Sequence, residues 1–216
     1  MDFAEYERRL YSDIFTVLKG SRINPGEGIS AYYEGHKPRF IAQIEMFAKL
    51  PAMKFVYDFG TTIPFTSYWF NLVHNAKVIF GSIDSQPWKV NELVEAININ
   101  LNFPPEMPPA DMVICTECLE HLPSNLYSVR AYLMSLVKRA GFLLLSFPCG
   151  GANAFGYERD NLGDKTRGYS AHIREFTEAS AREFVKTIGF DIVAEKMTFT
   201  QAYGNQIWNV LMQRKL

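Results

Sequence analysis

Apolar positions recur along this chain with two periods, and the changes between them set out an alternation of helices and strands. Phe3, Tyr6, Leu10, Ile14 and Val17 are spaced by three and four, which predicts an amphipathic helix over residues 2–19 closed by Gly20. Ser21 to Ser30, with Asn24-Pro25-Gly26 and Gly28, reads as a turn-rich connection into a helix carrying Phe40, Ile44 and Phe47. Phe55 to Gly60 is a first core strand with its turn. Phe65, Tyr68, Trp69, Leu72 and Val73 follow as one buried helical stripe, with Pro64 suited to the first helical position. Lys77 to Ile83 is a second strand ending at Asp84, and Trp88, Leu93 and Val94 read as the next helix. Ala96 to Phe103 alternates apolar and polar residues as a third strand does, before a stiff connection through Pro104, Pro105, Pro108 and Pro109.

The stretch from Asp111 to Pro148 organises the rest. Met112 to Cys115 is a short apolar run suited to a strand buried on both faces. Leu126, Val129, Leu133, Leu136 and Val137 predict a helix with Arg130 and Lys138 outside, Gly141 stops it, and Phe142 to Phe147 supplies another buried strand. Strand, helix, strand is a right-handed crossover unit, and ligands in such sheets sit beyond the carboxyl ends of the strands. Thr116 to His121 and Pro148 to Gly151 are thereby expected at the mouth of a site. The long loop from Cys149 to Ser170 is either a lid over an acceptor at the site or a surface loop, with Tyr157, Arg159, Arg167, Tyr169 and His172 as candidate contacts. Thr177 caps a helix burying Phe184, Val185 and Ile188 and ending at Gly189, and Phe190–Phe199 and Gln206–Gln213 finish as an antiparallel pair.

Composition narrows the class. The 216 residues, 48% hydrophobic and 21% charged, suit one domain over 1–216, with 1–36 as an N-terminal helical cap. A net charge of -1 gives no electrostatic footprint for nucleic acid or an anionic membrane. The longest apolar runs fall short of a membrane span and the N-terminus lacks a signal-peptide layout, so a cytoplasmic address is expected. Cys115, Cys118 and Cys149 are too few for a disulfide framework, and the single Cys115-x-x-Cys118 pair lacks the partners of a zinc site, so no metal is expected.

Asp111, Val113, Leu119, Glu120, His121 and Leu122, then Ser146-Phe147-Pro148 and His172-Ile173-Arg174-Glu175-Phe176-Thr177, carry a resemblance. In these positions the chain resembles the class I S-adenosylmethionine-dependent methyltransferases, in particular those whose fourth strand leads into Leu-Glu-His-Leu. The resemblance runs from about Lys37 to the C-terminus. It implies an α/β fold, a Rossmann-like seven-stranded, mostly parallel sheet with helices on both faces and an antiparallel C-terminal strand. It also implies S-adenosyl-L-methionine as cofactor and a small-molecule or glycan acceptor methylated on a hydroxyl or carboxyl.

The same resemblance marks site residues. The family's first turn, Asp-x-Gly-x-Gly-x-Gly, stands here as Asp58-Phe59-Gly60-Thr61-Thr62-Ile63-Pro64, with only the first glycine kept. Thr62 adds a β-carbon where bare backbone is expected, yet its hydroxyl and that of Thr61 can donate to a carboxylate. Arg39 and Tyr33 match the basic or aromatic residue that reaches the cofactor's carboxylate. Asp84 is placed to accept from the ribose hydroxyls or to cap the following helix, Asn100 to meet the adenine amine, and Cys115 to face the cofactor. His121 is read either as acceptor of a proton during methyl transfer or, with Glu120, as a brace for the next helix, and His172 is the matching candidate on the loop. The degenerate turn also motivates a rival reading, a binding or scaffold protein that kept the sheet and lost the cofactor. A nicotinamide-dependent dehydrogenase is disfavoured by the missing glycine fingerprint.

Overall fold

A computed structural model describes residues 1–16, 18, 26–82, 85, 87–122, 124–149, 174, 176–199 and 206–216. In chain order the elements are α1 (Phe3–Leu10, continued by a π-turn over Tyr11–Phe15), α2 (Gly26–Phe47), β1 (Phe55–Phe59), α3 (Tyr68–His74), β2 (Lys77–Ser82), β3 (Trp88–Asn91), β4 (Val94–Asn98), β5 (Ala110–Thr116), a 3-10 turn (Leu119–His121), α4 (Leu126–Leu136), β6 (Val137–Pro148), α5 (Glu178–Ile188), β7 (Asp191–Phe199) and β8 (Gln206–Gln213). They build one mixed sheet in the order β3-β4-β2-β1-β5-β6-β8-β7. The pairs from β4 through β6 are parallel, while β8 runs antiparallel to β6 and β7. This is the expected Rossmann-like sheet with an eighth strand, β3, added at one edge.

Strand parity sorts the core into two layers. Val56, Val78, Met112, Ile114, Leu144 and Leu211 pack under α1, α2 and α3 through Tyr6, Leu10, Phe40, Ile44, Phe47 and Phe70. Tyr57, Val113, Leu143, Leu145 and Val210 pack on the other face against α4 and α5, through Val129, Leu133, Val185 and Ile188. The capping expected of Thr177 is present, with its hydroxyl accepting from the Ser180 amide, and Gly189 closes α5 at φ 74°.

Three local expectations give way. The helix read at Trp88–Val94 is a hairpin, β3 and β4, turned at Glu92-Leu93 with the Leu93 amide on Asn91 Oδ1 at 2.8 Å. Period two wins there because the Trp88 ring packs on Phe80, centroids 5.4 Å apart, while Lys89 and Asn91 stay outside. The turn-rich connection is shorter than read: α2 starts at Gly26 and continues through Pro38, because burial of Tyr33, Phe40, Ile44 and Phe47 outweighs the one helical hydrogen bond the proline removes. Gly141 does not stop α4, which ends at Leu136 and passes directly into β6. A β-carbon on Gly141 would lie 2.9 Å from the carbonyl oxygens of both Asp111 and Lys138, so the glycine serves a close backbone approach.

Candidate functional site

The carboxyl ends of β1 and β5 meet α2 in a cavity of about 40 Å³ lined by Tyr32, Arg39, Phe40, Asp58, Gly60, Thr61, Ile63, Phe65, Thr66, Thr116 and Glu117. Tyr32 and Arg39 are two turns apart on α2 and so share a face, with Arg39 Nη2 donating to Tyr32 Oη at 3.1 Å. The Arg39 guanidinium is 3% exposed and stands 4.8 Å from the Phe40 ring centre. Its Nη1 is 3.8 Å from Glu117 Oε2, and neither Nη1 nor Nε has a hydrogen-bond partner among the described residues. A buried guanidinium with open N–H groups is costly unless something polar completes it.

Acidic groups surround it. Asp58 Oδ2 accepts from Ser67 Oγ at 2.6 Å; burial pushes its carboxyl up to about 7, against the lowering effects of that hydroxyl and of Arg39. Glu117 takes the left-handed conformation at φ 50°, uncommon for a side-chain-bearing residue and held here by Ser146. The Glu117 amide donates to Ser146 Oγ at 3.0 Å, and that hydroxyl donates back to Glu117 Oε1 at 2.8 Å. Burial raises the Glu117 pKa, while Arg39 and Ser146 oppose it. Glu120, on the 3-10 turn, is fully buried, and burial and the Glu117 charge hold its carboxyl well above the usual range.

The glycine-poor turn keeps one feature of an open one. Gly60 sits at φ 85°, where a side chain is strained, and its amide donates to the Gly81 carbonyl at 2.9 Å. The Thr61 hydroxyl is spent within the turn, donating to the Ile63 carbonyl at 2.6 Å, and Thr62 points to solvent. Phe65 then joins a cluster of rings, 5.1 Å from Phe40 and 5.4 Å from Tyr33 between centres.

Of the residues marked in the sequence, Arg39, Asp58, Gly60 and Thr61 come together at this cavity; Thr62, Asn100 and Cys115 are not part of its lining. Asn100 Oδ1 accepts from the Asn102 amide at 2.9 Å, closing its own turn. Cys115 lies wholly buried in the layer under α4, where a hydrogen bond with Cys118 and burial push its thiol well above its ordinary pKa. Tyr33 donates to Glu7 Oε1 at 3.2 Å inside the ring cluster. His121 is half-buried, with Nε2 3.9 Å from Glu120 Oε1. Asp84, His172, Tyr157, Arg159, Arg167 and Tyr169 lie outside the described residues. From the sequence, Glu117 is reached only as part of the Thr116–His121 mouth, and Tyr32, Phe40 and Phe65 not as site residues; the seven-residue spacing of Tyr32 and Arg39 on α2 is the available signal. Arg174 was missed as well: it donates to the carbonyls of Leu119, Leu122 and Ser124, binding the turn that carries Glu120 and His121.

No family model matches the chain, and no curated protein matches it. Solved structures do. The Burkholderia thailandensis 1,6-didemethyltoxoflavin-N1-methyltransferase, bound to its substrate and S-adenosylhomocysteine, superposes with a TM-score of 0.62 at 15% identity, covering 100% of this chain and 92% of that one. Human N-acetylserotonin methyltransferase in complex with S-adenosylmethionine gives 0.62 at 14% identity, over 95% of this chain and 60% of that one. Magnesium protoporphyrin IX methyltransferase from Synechocystis PCC 6803, with S-adenosylhomocysteine, gives 0.55 at 20% identity, over 98% and 94%. The chain thus has the fold of these methyltransferases. Among the described residues, no helix is long and apolar enough to cross a membrane.

Proposed function

We propose that this protein is an S-adenosylmethionine-dependent methyltransferase acting on a hydroxyl or carboxyl of a small molecule or sugar. The observation that carries the reading is the buried Arg39 guanidinium, with open N–H groups at Nε and Nη1, lining a cavity at the β1 tip beside the bare backbone of Gly60. That donor set fits a carboxylate, and the neighbouring Asp58 and Glu117 fit an ammonium group, which together describe the amino-acid end of the cofactor. At about 40 Å³ the cavity takes groups of that size, so the nucleoside would extend from it toward the end of β2, where Asp84 is the candidate partner for the ribose hydroxyls. When bound, S-adenosylmethionine supplies an electrophilic methyl group. This chain's part is to orient the acceptor beside it and to take up the proton, for which His121 and His172 are the candidates.

Calorimetry with S-adenosylmethionine and S-adenosylhomocysteine tests the proposal. Binding should weaken roughly 10- to 100-fold in Arg39→Ala, the scale of a lost charged hydrogen bond. The Glu117 carboxylate beside Arg39 and the Phe65 ring in the cavity's lining favour a second reading, a scaffold without cofactor. No heat of binding from either nucleoside at millimolar concentration would leave only that reading.

A further inference from the structure

The cavity has an uneven charge balance: its lining holds one guanidinium, Arg39, and two carboxylates, Asp58 and Glu117, together with the rings of Tyr32, Phe40 and Phe65. We infer that this excess of carboxylate selects a ligand of net positive charge, and that Glu117 is the residue that makes the site prefer cationic S-adenosylmethionine to its neutral product S-adenosylhomocysteine. The inference rests on the function proposed above and adds to it a determinant of cofactor-over-product selectivity.

The argument runs through what each carboxylate has left to do. Asp58 Oδ2 is held by Ser67, and Glu117 Oε1 by Ser146. Among the described residues, Glu117 Oε2 stands 3.8 Å from the guanidinium, too far for a hydrogen bond. A ligand carboxylate that takes up the open N–H groups of Arg39 leaves Glu117 without its counter-charge. In a site this buried an uncompensated carboxylate is expensive. S-adenosylmethionine bears a carboxylate, an ammonium and a sulfonium, so at pH 8, above the value of about 7 for Asp58, its net charge of about plus one offsets the excess of carboxylate over guanidinium among Arg39, Asp58 and Glu117. S-adenosylhomocysteine lacks the sulfonium and leaves that negative charge standing. Glu120 is fully buried and not part of the cavity's lining, and burial and the Glu117 charge hold its carboxyl well above the usual range. The rings of Tyr32, Phe40 and Phe65 in the same lining add to the preference for a cation.

Binding of three ligands at pH 8 decides it: S-adenosylmethionine, sinefungin, which carries an amine in place of the sulfonium, and S-adenosylhomocysteine. The wild-type protein should bind the first two about tenfold more tightly than the third, the order expected of one buried charge pair. In Glu117→Gln the three affinities should fall within about twofold of one another, and Glu117→Asp, which keeps the charge, should retain the preference. A wild-type protein that favours S-adenosylhomocysteine, or a preference that survives Glu117→Gln, overturns the inference and leaves the proposed function in place. Absence of binding by all three strikes the proposed function itself. Should Glu117→Gln fail to fold, the wild-type ratio and Glu117→Asp still decide.

Discussion

A β-carbon placed on Gly60 would lie 2.6 Å from Cβ and 2.7 Å from Sγ of Cys118, so the turn after β1 and the segment after β5 touch through the one residue type that permits it. Gly60→Ala therefore meets two obstacles, the φ of 85° and the Cys118 side chain. Left-handed strain and overpacking each cost about 1–3 kcal/mol, so urea unfolding should show a loss of at least about 2 kcal/mol. In a Cys118→Gly background, which lacks both contacting atoms, Gly60→Ala should cost only the backbone share. An equal cost of Gly60→Ala in both backgrounds would show that Cys118 is not the obstacle.

The Asp58 carboxyl, pushed by burial from 3.8 to about 7, makes stability depend on pH with a definite sign. The folded protein keeps a proton that the unfolded chain releases above pH 4, so this group's contribution is fully present below that pH and is lost as pH rises toward 7. Asp58→Asn removes the titration but can still accept from Ser67 Oγ. Wild type should thus lose stability relative to Asp58→Asn between pH 4.5 and 7.5, by on the order of 2–4 kcal/mol. A difference that stays flat across that range in denaturant titrations would place the Asp58 pKa near its ordinary value.

The alternation of helix and strand and the placing of the site at the strand tips could be read from periodicity, because both follow from which positions are buried. The face on which each strand residue lies could not. β5 is buried on both sides, so its pattern carries no parity, and Cys115 turns out to share a side with Phe59, across the sheet from Asp58. Asn100 was read for its reach to a ligand, whereas its carbonyl is consumed by the next turn, a common fate of Asn in loops. The Trp88 hairpin was masked because four residues are too few to separate period two from period 3.6. Arg39 was reached by resemblance, and what the sequence withheld was its company: Tyr32 is on its own helix, but Glu117 and Ser146 arrive from β5 and β6.

Arg174 ties the segment before α5 to the turn after β5. Its guanidinium donates to the carbonyls of Leu119, Leu122 and Ser124, and its amide donates to the Glu120 carbonyl at 3.2 Å. Arg174→Ala should cost about 1–3 kcal/mol, since several hydrogen bonds from one charged donor to backbone carbonyls are lost together. Lysine keeps the charge but not the planar fork, so Arg174→Lys should recover less than half of that in thermal unfolding. Full recovery by lysine would reduce the residue's role to charge alone.

On α2, one turn beyond Arg39, Gln43 is wholly buried and donates from Nε2 to Asn209 Oδ1 at 2.8 Å; Asn209 in turn donates to the Lys196 carbonyl and Thr198 Oγ1. This amide pair fixes α2, and with it Arg39, against β7 and β8. Removing one partner strands the other in an apolar layer, so Asn209→Leu and Gln43→Leu should each cost about 1–3 kcal/mol. Replacing both removes the stranded amide, and the double variant should be less destabilised than the sum of the singles by about 1 kcal/mol or more. Additive losses in the double-mutant cycle would mean that the two amides do not depend on each other and that α2 is seated by its apolar side chains alone.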